Sequence, residues 1–122
     1  MRRLLPLTAC AALLLIFAPA AFAHVFVDHA DPKVGSKVAQ SPTTVEVWFT
    51  GEVEPSFSGL EVQDANGNRV DKQDCHVDPK DKTALIVSVP TLQPGTYKVV
   101  WHAVAKDTHK TKGDFKFEVK AP

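Results

Sequence analysis

Five histidines and two Asp-x-His triplets are the parts of this sequence with obvious chemistry. The histidines are His24, His29, His76, His102 and His109, and the triplets are Asp74-Cys75-His76 and Asp107-Thr108-His109. Imidazole nitrogen beside carboxylate oxygen is a ligand combination for divalent transition metals. In extended chain, residues two apart share a face, so each triplet can offer both donors to one ion. No serine nucleophile motif, phosphate loop or pair of catalytic carboxylates stands out. Metal binding is the chemistry for which the chain has material.

Context separates the triplets. Residues 74–81 are crowded with Asp and Lys around Pro79 and read as an exposed turn. Asp107 instead follows the longest predicted strand and precedes the last one, with Gly113 close after, where a tight inter-strand loop belongs. His24 stands directly after Ala21-Phe22-Ala23, a small-x-small pattern of the kind cut by signal peptidase. Cleavage there would leave His24 with a free amine, whose ordinary pKa of about 7.7–8.0 lets a metal displace its proton near neutrality. Amine and imidazole of one residue then close a chelate ring. With the imidazole of His109 and the carboxylate of Asp107 they make three nitrogens and one oxygen, a set that suits Cu(II). Met1 is the only methionine, which argues against a thioether-rich Cu(I) site.

The rest of the chain must deliver these groups. Arg2 and Arg3 followed by the apolar run Leu4–Ala20 complete a secretory signal over residues 1–23. The run is short beside the roughly 20 apolar residues of a membrane span, and Pro19 interrupts its end. A lipoprotein reading ending at Cys10 would leave only a stub of apolar residues before the cut. Residues 24–122 then form one domain of 99 residues, large enough for a core. Losing Arg2 and Arg3 leaves 12 basic against 14 acidic residues, a net charge near −2, which gives no reason to expect nucleic acid or an anionic membrane as partner. Cys10 leaves with the signal, so Cys75 has no internal partner and reads as a small buried hydrophobe, with metal ligation or an intermolecular crosslink as alternatives.

The domain reads as strands between turn signals: Thr44–Phe49, Leu60–Gln63, the Asp64–Asn68 turn leading into Arg69-Val70, Ala84–Val89, Thr96–Val104 after Pro94-Gly95, and Phe115–Lys120. No stretch sustains helical periodicity. This is the pattern of an all-β fold, an immunoglobulin-like Greek-key sandwich or barrel without the disulfide. His29 lies five residues from His24, so on a strand it faces the other way. His102 falls on the face of Lys98 and Val100, opposite Tyr97, Val99 and Trp101.

Taken together, the leading His24 and the stretches "GEVEPSFSGLEV" and "LQPGTYKVVWHAVAKDTHKTKGDFKFEV" resemble the CopC-like periplasmic copper-binding family over the whole of residues 24–122. The resemblance implies a Greek-key β-domain in the periplasm that holds one Cu(II) through the amine and imidazole of His24 with Asp107 and His109. It also implies transfer to an inner-membrane copper transport protein of the same resistance system. Some members carry a second, Met-rich Cu(I) site, and this chain lacks those methionines. Many begin His-x-His, whereas Phe26 stands third here. Members often have Ser-Glu-Pro at the position of Thr50-Gly51-Glu52, which leaves Glu52 or Glu54 as the carboxylates available nearby. Two other functions fit the residues less well. A histidine-brace oxidase or oxygenase needs an open position for its oxidant, which Asp107 would fill. A non-metal β-sandwich interaction module would give His24 and His109 no role.

Overall fold

Alternation of apolar and polar residues, period two, organises the whole domain. The computed structural model describes residues 2–3 and 24–122, so the signal-peptide reading of residues 1–23 lies outside the described residues apart from Arg2 and Arg3. Among the described residues eight strands follow one another: β1 (Val27–Asp31), β2 (Lys37–Val38), β3 (Thr44–Phe49), β4 (Gly59–Gln63), β5 (His76–Asp78), β6 (Asp81–Ser88), β7 (Gly95–Val104) and β8 (Lys110–Val119). They form two four-stranded sheets, ordered β1-β3-β6-β5 and β2-β8-β7-β4. Only β5–β6 and β7–β8 join neighbours in one sheet; the other connections cross between sheets, as in Greek-key sandwiches. The expected all-β sandwich is therefore what the chain forms. The only helical element among the described residues is a 3-10 turn at Pro55–Phe57, and no helix there is long and apolar enough to cross a membrane.

The inner faces come from alternate positions. Val45, Val47 and Phe49 of β3 and Leu85 and Val87 of β6 meet Leu60 and Val62 of β4, Tyr97, Val99, Trp101 and Ala103 of β7, and Phe115, Phe117 and Val119 of β8. These aromatic and β-branched residues are what a half-buried pleated surface selects. The Tyr97 hydroxyl donates to the Gln93 carbonyl, so the phenol buries its ring without losing its polar end. Asp71 is buried beside them, a feature the sequence pattern did not announce. Its carboxylate accepts from the Val62 amide at 2.9 Å, the Gln73 amide at 2.8 Å and the Arg69 guanidinium at 2.9 and 3.0 Å. Burial alone would raise this carboxyl; the guanidinium and the two amides outweigh it and hold the group below the usual range.

Three expectations need correction. The last strand starts at Lys110, not Phe115, because Thr111 and Gly113 fill the inward positions of its first half and leave no apolar signal there. Residues 74–81 are not simply a turn: His76–Asp78 form the edge strand β5, paired only with β6. Arg69-Val70 contributes one isolated bridge, Arg69 to Gln63, rather than a strand.

Gly113 faces Trp101 across the β7–β8 ladder. A Cβ on Gly113 would stand 2.8 Å from Trp101 Cζ2 and 3.0 Å from Cε2, inside van der Waals contact. Gly113→Ala is expected to destabilise the domain by about 1–3 kcal/mol and to shift tryptophan fluorescence, checked by thermal melts and emission spectra. On the outer face of the first sheet, burial, the adjoining Asp78 carboxyl and the charges of Asp78, Asp81 and Asp31 push Glu46 up to about 7. A carboxyl raised from an unfolded value of about 4.3 adds stability fully present below that value and lost as pH rises through 7. Glu46→Gln is therefore expected to stabilise the protein by about 1–2 kcal/mol at pH 8 and to change little near pH 4, read from melts at the two pH values.

Candidate metal centre

The β7–β8 hairpin ends in a loop that closes on itself. The Ala105 amide donates to the His109 carbonyl and the Thr108 amide to the Ala105 carbonyl, both at 2.9 Å. Ala105 is buried and bridges Val53, and Lys106 pairs with Glu54 at 3.3 Å, so the loop's base is tied to the chain that follows β3. Glu54 is thereby engaged with Lys106, while Glu52 is exposed. This is the tight loop expected at Asp107-Thr108-His109, with Gly113 inside β8 instead of closing it.

The triplet does not work through extended chain, as the spacing suggested. Thr108 has φ 72°, the left-handed region, which is unusual for a β-branched residue. The resulting turn folds Asp107 back on His109. Asp107 Oδ1 accepts from the His109 amide at 3.2 Å, and Oδ2 lies 3.2 Å from His109 Nδ1. The His109 backbone N–H is the main cause that lowers the exposed Asp107 carboxyl below its ordinary value, and its imidazole adds to it. The carboxylate is thus ionised at neutral pH and adjacent to an imidazole, the state a metal ligand needs.

His24 reaches this loop from far along the sequence. The next residue, Val25, is buried, and its carbonyl accepts a hydrogen bond from the Thr111 hydroxyl. Thr111 lies two positions after His109, so this bond places the start of the domain beside the loop. The His24 and His109 rings stand with centroids 5.3 Å apart at 72°, edge to face. His24 is exposed and His109 half-buried. Among the described residues no group of three or more His, Cys, Asp or Glu side chains is assembled as a metal cage. The structure instead gives two contacts that share His109, one to His24 and one to Asp107.

The remaining candidates lie elsewhere. His29 is on the surface: its ring stacks on Trp48 at 4.4 Å and its Nδ1 meets Asp28 at 2.7 Å. His76 Nδ1 lies 2.9 Å from the Asp74 carbonyl oxygen, while the Asp74 carboxylate accepts from the Ser88 amide at 2.8 Å, so this second triplet is spent on its own edge. His102 is exposed and its ring covers Gly59. Cys75 packs against the core, and burial pushes its thiol up, which makes it a poorer thiolate donor. The residues missed by sequence reading are Thr50 and Thr111, whose hydroxyls fix the segment after His24. Nothing in their spacing marks them.

A two-sheet sandwich with a histidine from its leading segment set against an Asp-x-His hairpin loop defines the class. Residues 27–120 match the CopC domain, and the chain belongs to that family. The match begins three residues after His24. Protein YobA of Escherichia coli strain K12 is 34% identical over 103 residues, 84% of this chain and 83% of that protein. The crystal structure of CopC from Methylosinus trichosporium OB3b superimposes with a TM-score of 0.70 at 30% identity, covering 80% of this chain and 94% of that one. PcoC, a methionine-rich copper resistance protein from Escherichia coli, gives 0.69 at 28% identity, covering 80% and 100%.

Thr108→Gly relieves the positive φ, and the gain outweighs the added freedom of the unfolded chain. Melting of the apo protein is expected to show stabilisation by about 0.5–1 kcal/mol.

Proposed function

We propose that this protein binds one Cu(II) per chain, in the periplasm, for copper resistance, storage or delivery. Residues 1–23 are the export signal and residues 24–122 the copper-binding domain. Removal of the signal gives His24 a free amine. That amine and the His24 imidazole, the His109 imidazole and the Asp107 carboxylate are the ligands. The observation that carries the reading is the approach of the His24 and His109 rings, 5.3 Å between centroids, from positions far apart in the sequence. Three side chains short of a cage fit a site that needs the amine as a further donor, because one residue then supplies two nitrogens.

The donor chemistry favours Cu(II) over Cu(I). Nitrogen and oxygen donors suit the former and thioethers the latter. One structural relative is described as methionine rich, whereas Met1 is the only methionine here. A full donor set with Asp107 in place favours holding the ion over turning over a substrate. The recipient of the copper is an inner-membrane transport protein of the same resistance system.

The test is a Cu(II) titration against a competing chromophoric chelator. Protein beginning at His24 is expected to bind one equivalent. Protein with one extra residue before His24 loses the amine and is expected to bind at least about 100-fold more weakly, as are His24→Ala and His109→Ala. Equal affinity of the extended and unextended forms would overturn the assignment.

A further inference from the structure

We infer that Thr111 and Thr50 are positioning residues: together they strap Val25 and Phe26 to the sandwich and hold His24 at His109 before any metal arrives. The inference rests on the site proposed above and concerns how that site is built. Thr111 occupies an inward-facing place on β8, opposite Ala103, where the strand's later residues Phe115, Phe117 and Val119 are apolar. A hydroxyl there is half-buried, and it donates to the Val25 carbonyl. The Val25 side chain is itself buried, close against Gly51: a Cβ on that glycine would lie 3.6 Å from Val25 Cγ2.

Thr50 grips the next residue by two bonds. The Phe26 amide donates to Thr50 Oγ1 at 3.1 Å, and the Thr50 amide donates to the Phe26 carbonyl at 2.8 Å. The same hydroxyl stands 3.5 Å from the His24 carbonyl oxygen. Both residues after His24 are therefore fixed on two sides, Val25 by β8 and Phe26 by the end of β3. What remains to be ordered on metal binding is His24 itself. Preorganisation of this kind raises affinity by removing the entropy of ordering the segment. It acts on release as well, because loosening Val25 and Phe26 gives the His24 amine and imidazole more ways to leave the metal.

The test compares Thr111→Val and Thr50→Val, which keep shape and delete the hydroxyl, with Thr111→Ser, which restores it. In metal-free protein starting at His24, hydrogen exchange of the Phe26 amide is expected to speed up at least about tenfold in both valine variants. With one Cu(II) bound, transfer to excess EDTA is expected to accelerate about tenfold, with the copper EPR spectrum unchanged because the ligands are unchanged. Thr111→Ser is expected to behave as the parent in both measurements. Valine variants with parental exchange and release rates overturn the inference. So does a serine variant that behaves like valine, since packing of the methyl and not the hydroxyl would then be responsible. If instead the extra residue before His24 leaves copper affinity untouched, the site assignment falls, and metal-free Phe26 exchange still decides the strap.

Discussion

β7 and β8 pair from Gly95↔Val119 to Val104↔Lys110 without a break in register. That ladder sets the positions of nearly everything else in the molecule. Strand side chains alternate, so an unbroken register assigns each residue of β8 to one face over ten positions. Phe117 and Phe115 fall inward to the core, and Gly113 falls beneath Trp101. Thr111 falls where the leading segment crosses, and His109 falls at the point where the ladder gives way to the loop. A slip of one residue would turn Lys110 and Lys112 to the inside and take Thr111 away from Val25. The core and the site are specified by the same constraint, although they use different residues.

The energetics of the two are nevertheless separate. The core is aliphatic and aromatic, closed at one side by the Asp71 carboxylate with its amides and Arg69. The site contributes little buried surface: His24 and Asp107 are exposed and His109 half so. An exposed loop carried on the β7–β8 hairpin can therefore hold a strained residue such as Thr108 without threatening the fold. The strain has a use. Left-handed backbone at Thr108 turns the Asp107 carboxylate onto His109, a juxtaposition that neither helix nor strand spacing would give.

Much of this was legible in the sequence. The apolar periodicity of Thr44–Phe49 and Thr96–Val104 located β3 and β7 almost to the residue, because both strands are central and alternate strongly. Strands without such a signal escaped. The first half of β8 puts Thr and Gly inward, and β5 is a three-residue edge in a polar run. The same limit applies to the site. His24, Asp107 and His109 are chemically conspicuous types and could be singled out. Thr50, Thr111 and Asp71 act through hydrogen bonds to backbone atoms distant in sequence, and a residue type that is ordinary on any surface gives no notice of such a bond.

His24 and His109 are far apart in the sequence, and closing so long a stretch of chain would cost more entropy than a contact between the two rings could offset alone. The fold removes the problem by making one strand serve both. β8 begins at the residue after His109 and, two positions beyond that histidine, takes hold of the residue after His24. The relative placement of the rings is then set over a few residues of backbone, however many lie between them in the chain. One ring sits on a loop bonded within itself, and the other leads a two-residue segment bonded to β8 and to Thr50. In the site proposed here, the hairpin loop would bring Asp107 and His109 already in contact, and the leading segment would bring His24 to them.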